Sequence, residues 1–156
     1  MAAGDSTVQQ VLDALAEEAA TVTGIKAAYS SEIRQIQQLP CVIFSWFSDI
    51  DTVLVTGSDQ LWGIAAKAIL YTEAIKGNEL RPSLTTTNDL ILSLIDAINK
   101  HPHTYPYGSL MSQLVGIDRI NVTRVRPSEF GLTYAGQRFF GAELFLDIKM
   151  HRRIAY

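Results

Sequence analysis

The stretch RFFGAELFLDIKMHR, residues 138–152, constrains the fold of this chain more than any other. Successive side chains of an extended strand point to opposite faces, so Phe140, Ala142, Leu144, Leu146, Ile148 and Met150 share one side. Glu143, Asp147, Lys149 and His151 share the other. A strand with one apolar and one charged side needs a core layer under the first and leaves the second available. Phe139 and Phe145 interrupt the charged side. Aromatics among charges are what a protein contact uses, and the competing explanation is a further layer of the same domain covering them.

Other segments read as partners for this strand. CVIFSWF (41–47), opened by Pro40, is a buried apolar run rich in β-branched and aromatic residues. LWGIAAKAILYTEA (61–74) reads as a strand with Trp62, Ile64, Ala66, Ala68 and Leu70 on one face, since Gly63 weakens a helix. IKAAY (25–29) and residues 53–55 read as short strands, and SSEIRQIQQ (30–38) as a polar connector. VGIDRINVTRVR (115–126) alternates, with Ile120, Val122 and the stem of Arg124 on one face. PSEFGLTYAGQ (127–137) reads as the connection to the last strand.

Two segments carry a helical period instead. Val8, Val11, Leu12, Leu15, Ala19 and Val22 recur at three- and four-residue steps, with Asp5 or Ser6 as N-cap and Gly24 as the stop. NDLILSLIDAINK (88–100) carries Leu90, Ile91, Leu94, Ile95 and Ile98 along one stripe, with Thr87 as cap, Asp89 in the first turn and Lys100 in the last. Residues 76–87 read as the loop before it. The expected fold is an α+β domain over 1–156, with a mixed or antiparallel β-sheet of about four to six strands and two main α-helices packed on one face. A chain of 156 residues, 47% hydrophobic and 19% charged, is long enough to bury such a core without staples.

The net charge of −3 is unevenly placed. Residues 1–24 carry Asp5, Asp13, Glu17 and Glu18 without Lys or Arg, whereas 119–153 carry seven basic groups against three acidic. Such asymmetry fits contact between unlike surfaces, within the fold or between copies, as well as two solvated faces. Nothing is basic enough overall to make nucleic acid the main partner. The N-terminus lacks the pattern of a signal peptide, and no run approaches the ~20 apolar residues that span a membrane.

Chemistry-bearing motifs are missing from the sequence. There is no phosphate-binding glycine loop, dinucleotide fingerprint, nucleophile elbow or paired-histidine metalloprotease motif. Cys41, the lone cysteine, sits in LPCVIFSWF and reads as a small buried hydrophobe, and a reducing compartment is the simplest setting for it. Asp49 and Asp51 in SDID read as turn residues before they read as a catalytic pair. The stretch NKHPHTYPYG (99–108) begins where the second helix ends, and its prolines make it a stiff connector; a His-x-His pair without further ligands does not make a metal site. No catalytic residue, cofactor or metal is therefore expected.

The order of elements, with VQQVLDALAEEAATVTGIKAAY, LPCVIFSW, NDLILSLIDAIN and YAGQRFFGAELFLDIK, resembles the tail terminator (tail completion) proteins of long-tailed bacteriophages. The resemblance covers most of the chain and rests on pattern and order. It implies a structural, non-enzymatic virion subunit, assembled in the host cytoplasm, that forms a ring, usually a hexamer, at the head-proximal end of the tail tube. There it stops tube polymerisation and offers the surface that joins the head. Its partners are copies of itself, the tail tube protein and head–tail connector proteins; DNA only passes through the lumen, for which the acidic first helix is a candidate lining.

On that reading the candidate subunit or tube contacts are Arg124, Arg126, Arg138, Phe139, Glu143, Phe145, Asp147 and Lys149, with Asp49 and Asp51 in the 48–60 loop. Two alternatives stand beside it. One is another connector or minor tail protein. The other is a monomeric α+β ligand-binding domain or small enzyme, with a site drawn from Trp46, Tyr71, His101 and Tyr134.

Overall fold

A computed structural model describes residues 7–46, 50–56, 59–75, 84–99, 117–127 and 131–153. Asp49, His101 and nearly all of 99–108 lie outside them, as do Asp5, Ser6 and Lys100. In chain order the elements are α1 (Val8–Ala20), β1 (Ala27–Tyr29), β2 (Cys41–Trp46), β3 (Asp51–Thr56), β4 (Asp59–Ala74), α2 (Leu84–Asn99), β5 (Ile117–Pro127), β6 (Leu132–Tyr134) and β7 (Gln137–Arg153). The fold is α+β, a mixed sheet with two helices. Its seven strands exceed the expected four to six because β6 forms within the segment read as a connection; β3, read over 53–55, is a six-residue strand.

The long strands β4 and β7 pair antiparallel along their length, from Asp59 opposite Arg153 to Ala74 opposite Phe139. Each long strand is flanked on its other side by two short strands. β2 and β3 both pair antiparallel with β4, and β5 and β6 both pair antiparallel with β7. β1 adds to β2 in parallel, giving the order β1-β2-β4-β7-β5.

Both helices cover one face of this sheet. Val11, Leu12 and Leu15 of α1 and Leu90, Leu94 and Ile98 of α2 meet Val42, Phe44, Ile64, Leu70, Leu144, Leu146, Ile148 and Met150 in one core. Fully burying a side chain of this size contributes about 1.5–3 kcal/mol, so this layer dominates the stability. The apolar face read from β7 is fully buried, and that of β4 is buried from Ile64 to Leu70.

A second, smaller core occupies part of the opposite face. Cys41 and Ile43 point there from β2, Tyr71 from β4 and Phe139 from β7. The 30–39 segment closes it from outside with Ile33, Ile36 and Leu39. Tyr134 pins that segment, its hydroxyl accepting from the Ile33 amide at 2.7 Å and donating to the Ile33 carbonyl. The ring of Tyr71 meets Tyr134 and Phe139 edge-on, at centroid distances of 5.6 and 5.4 Å.

Several element ends differ from expectation. α1 is capped by Thr7, whose hydroxyl accepts from the Gln10 amide at 3.2 Å while the Gln10 side chain accepts from the Thr7 amide at 2.8 Å. This capping box satisfies two amide donors that a helix start leaves orphaned. The helix stops at Ala20, and Gly24 with φ +98° turns the chain beyond it. α2 starts four residues early, at Leu84 in place of Asn88, so Thr87 is no cap: it is buried within the helix and donates to the Thr72 hydroxyl at 3.4 Å. Asp89 accordingly lies past the first turn.

Candidate functional site

Among the described residues no core layer covers the remainder of the second face, which gathers most of the charged residues singled out in the sequence. Cross-strand register sets them in rows. Ile69 of β4 lies beside Glu143 of β7 and Arg126 of β5; Lys67 beside Phe145 and Arg124; Ala65 beside Asp147 and Asn121; Gly63 beside Lys149.

Phe145 sits at the centre of three cations. The Arg124 guanidinium lies 4.3 Å from its ring centroid, that of Arg126 5.4 Å and the Lys67 ammonium 5.5 Å. The ring's negative face attracts them. Glu143 lies between two of the cations, 3.5 Å from Lys67 Nζ and 3.7 Å from Arg126. Both pairs are partly solvated, which holds their worth to about 0–1 kcal/mol each. Further along, Lys149 pairs with Asp147 at 3.7 Å. A Cβ added at Gly63 would stand 2.7 Å from Lys149 Nζ, so the glycine leaves the space that this ammonium fills.

The bulge in β5 creates this arrangement. The register against β7 shifts between Val122 and Arg124, so one extra residue is accommodated there. Ile120 and Val122 face the helices before the shift and Val125 does so after it. Arg124 and Arg126 are thereby turned to the open face, whereas simple alternation put the stem of Arg124 on the side of Ile120.

Glu143, Phe145, Asp147, Lys149, Arg124 and Arg126 thus come together. Phe139 is the correction: it is buried in the second core, because the 30–39 segment and β6 cover that end of the face. Arg138 is exposed at the β6–β7 turn, opposite Thr133 and away from the Phe145 cluster. Asp51 is exposed at the start of β3, paired in register with Gly63 and so on the Lys149 side.

Residues passed over in the sequence complete the surface. Lys67 is one, legible as the cation of its strand opposite the Ile64–Leu70 face. More consequential is β3, where Val53, Leu54 and Val55 are 60%, 64% and 52% exposed in succession. β3 pairs with β4 alone, so its other edge is unpaired among the described residues. Three adjacent exposed aliphatics on an unpaired edge form a ready pairing surface.

Elsewhere, an open groove of about 420 Å³ runs between α1 and β1, lined by Asp13, Glu17, Tyr29 and Ser30 among others. Asp13 accepts from the Ser30 hydroxyl and from Gln9, and these bonds lower its pKa. Cys41 is buried, which pushes its thiol up to about 11, the opposite of an activated nucleophile. Tyr71 and Tyr134 belong to the second core, and Trp46, half-exposed at the end of β2, lies on the other face. These three do not converge on a shared site. Among the described residues no group of three or more His, Cys, Asp or Glu can hold a metal, and no helix is long and apolar enough to cross a membrane. No family profile matches the chain, and a search of curated proteins finds no match to it.

Proposed function

We propose that this chain is a structural subunit of a long-tailed phage virion, a tail terminator. It forms a ring, of six copies in this reading, on the head-proximal end of the tail tube, stops tube growth and presents the surface on which head–tail connectors dock. The work is done by complementary surfaces, with no chemical step.

The observation that carries the reading is β3, with Val53, Leu54 and Val55 exposed on an unpaired edge. Displaying such a strand risks aggregation unless a partner covers it. The open sheet face adds an aromatic held among charges, and the pattern resemblance across the chain supplies the identity of the assembly.

The deciding experiment is the mass of the purified protein by size-exclusion chromatography with light scattering, alone and mixed with tail tubes. A species near six times 17.2 kDa, with label at one end of each tube, is expected. A monomer that ignores tubes overturns the reading, and binding along the tube wall replaces it with another minor tail protein.

A further inference from the structure

Two charges of opposite sign stand without ionic partners at opposite margins of the sheet. At the β5 margin, Arg124 stacks on Phe145, and no carboxylate among the described residues pairs with it. Lys67 and Arg126 flank the same ring and share Glu143, so among the described residues three cations and one carboxylate gather around Phe145. At the other margin, α1 packs over β1 and β2 and carries Asp13, Glu17 and Glu18 with no basic residue. Glu17 and Glu18 fall in its last turn, where the helix carbonyls already concentrate negative charge. No described cation pairs with either. Asp13 is held by Ser30 and Gln9, which leaves Glu17 as the carboxylate of the α1–β1 groove with no hydrogen bond or ion pair among the described residues.

Carboxylates placed against the helix dipole and an arginine stacked without a counter-charge both break local rules, and among the described residues neither is compensated. We propose that α1 of one copy docks on the Arg124–Phe145–Arg126 patch of the next, Glu17 accepting hydrogen bonds from the Arg124 guanidinium. Ala20, exposed at the groove beside Glu17, then meets the ring of Phe145.

The two patches differ and lie at opposite margins, so the contact is head-to-tail and continues from copy to copy until it closes. Strand pairing plays no part in it: β5 is bulged, ends in Pro127, and its Val122 amide already donates to Asn99 Oδ1 at 2.9 Å. The inference rests on the self-assembling ring proposed above and names the surfaces that meet in it.

Charge reversal tests it. Glu17 and Arg124 are both exposed, so Glu17→Arg and Arg124→Glu leave the fold intact, which circular dichroism and thermal melting verify. Each variant alone faces like charge with like charge and is expected to associate at least tenfold more weakly than wild type in light scattering. An equimolar mixture of the two variants restores opposite charges at every contact and is expected to recover oligomers. If wild type assembles and either variant alone assembles as well as wild type, or the mixture stays dissociated, the docking is wrong while the ring stands. If wild type remains a monomer at every concentration, with and without tubes, the ring and the docking fall together.

Discussion

Gly141 is the point at which β4 and β7 leave no room for a side chain. A Cβ there would lie 1.8 Å from the Leu70 carbonyl oxygen. Gly141→Ala must separate the two central strands, and overpacking of this kind costs about 1–3 kcal/mol or more. A matching fall in urea midpoint is expected, with the m-value unchanged; an unaltered midpoint would mean that the strands yield freely. Tyr71 offers a pH-dependent counterpart. Burial foremost, then the nearby Cys41, Tyr134, Glu143 and Glu32, push its hydroxyl up to about 12 from 10.0. The folded chain keeps this proton after the unfolded chain has released it. The stability is therefore complete below pH 10 and is lost as pH rises toward 12, on the order of 2 kcal/mol in all. Tyr71→Phe keeps the ring and removes the titration, so its melting temperature should decline less steeply over that range. Single residues were partly legible. Phe145 among charges announced a surface; Phe139, with the same pattern around it, became core, because what covers it comes from the distant 30–39 segment.

At the level of elements, period carried the reading and its interruptions limited it. β7 kept alternation throughout and β4 did so from Ile64 to Leu70, before its irregularity at Tyr71–Glu73, so both were recognisable, and so were the apolar stripes of α1 and α2. β5 was recognisable as a strand but not in phase, since a bulge inserts a residue without any marker in NVTRVR. β6 was hidden by its three residues between Gly131 and Gly136, whose positive φ values suit turns. β3 was seen as a short strand, while its exposure depends on tertiary placement: among the described residues it pairs with β4 alone. Replacing Val53 and Val55 together by Thr retains β-propensity on an exposed strand, so folding stability should change by about 0.5 kcal/mol or less. Capping of tail tubes should be lost in the same variant. Capping at wild-type level, seen by electron microscopy of labelled tube ends, would remove β3 from the contact.

For the whole molecule, the α+β class and the placement of both helices on one face followed from pattern, while the division of the other face into a covered and an open half did not. That division depends on how 30–39 folds back, and a polar connector gives no period from which to read it. The central pairing has a further, kinetic meaning. Asp59 meets Arg153 and Ala74 meets Phe139, so the two longest strands join only after a very long loop closes. Non-local pairing of this kind places refolding in the range of roughly milliseconds to seconds. Stopped-flow fluorescence after dilution from urea should show this, and a microsecond phase accounting for the whole signal would contradict it. β7 supplies both the middle of the main core and the residues Glu143, Phe145, Asp147 and Lys149 of the open face. The charged face around Phe145 and the middle of the main core are thus completed in the same step, the docking of the last long strand onto β4.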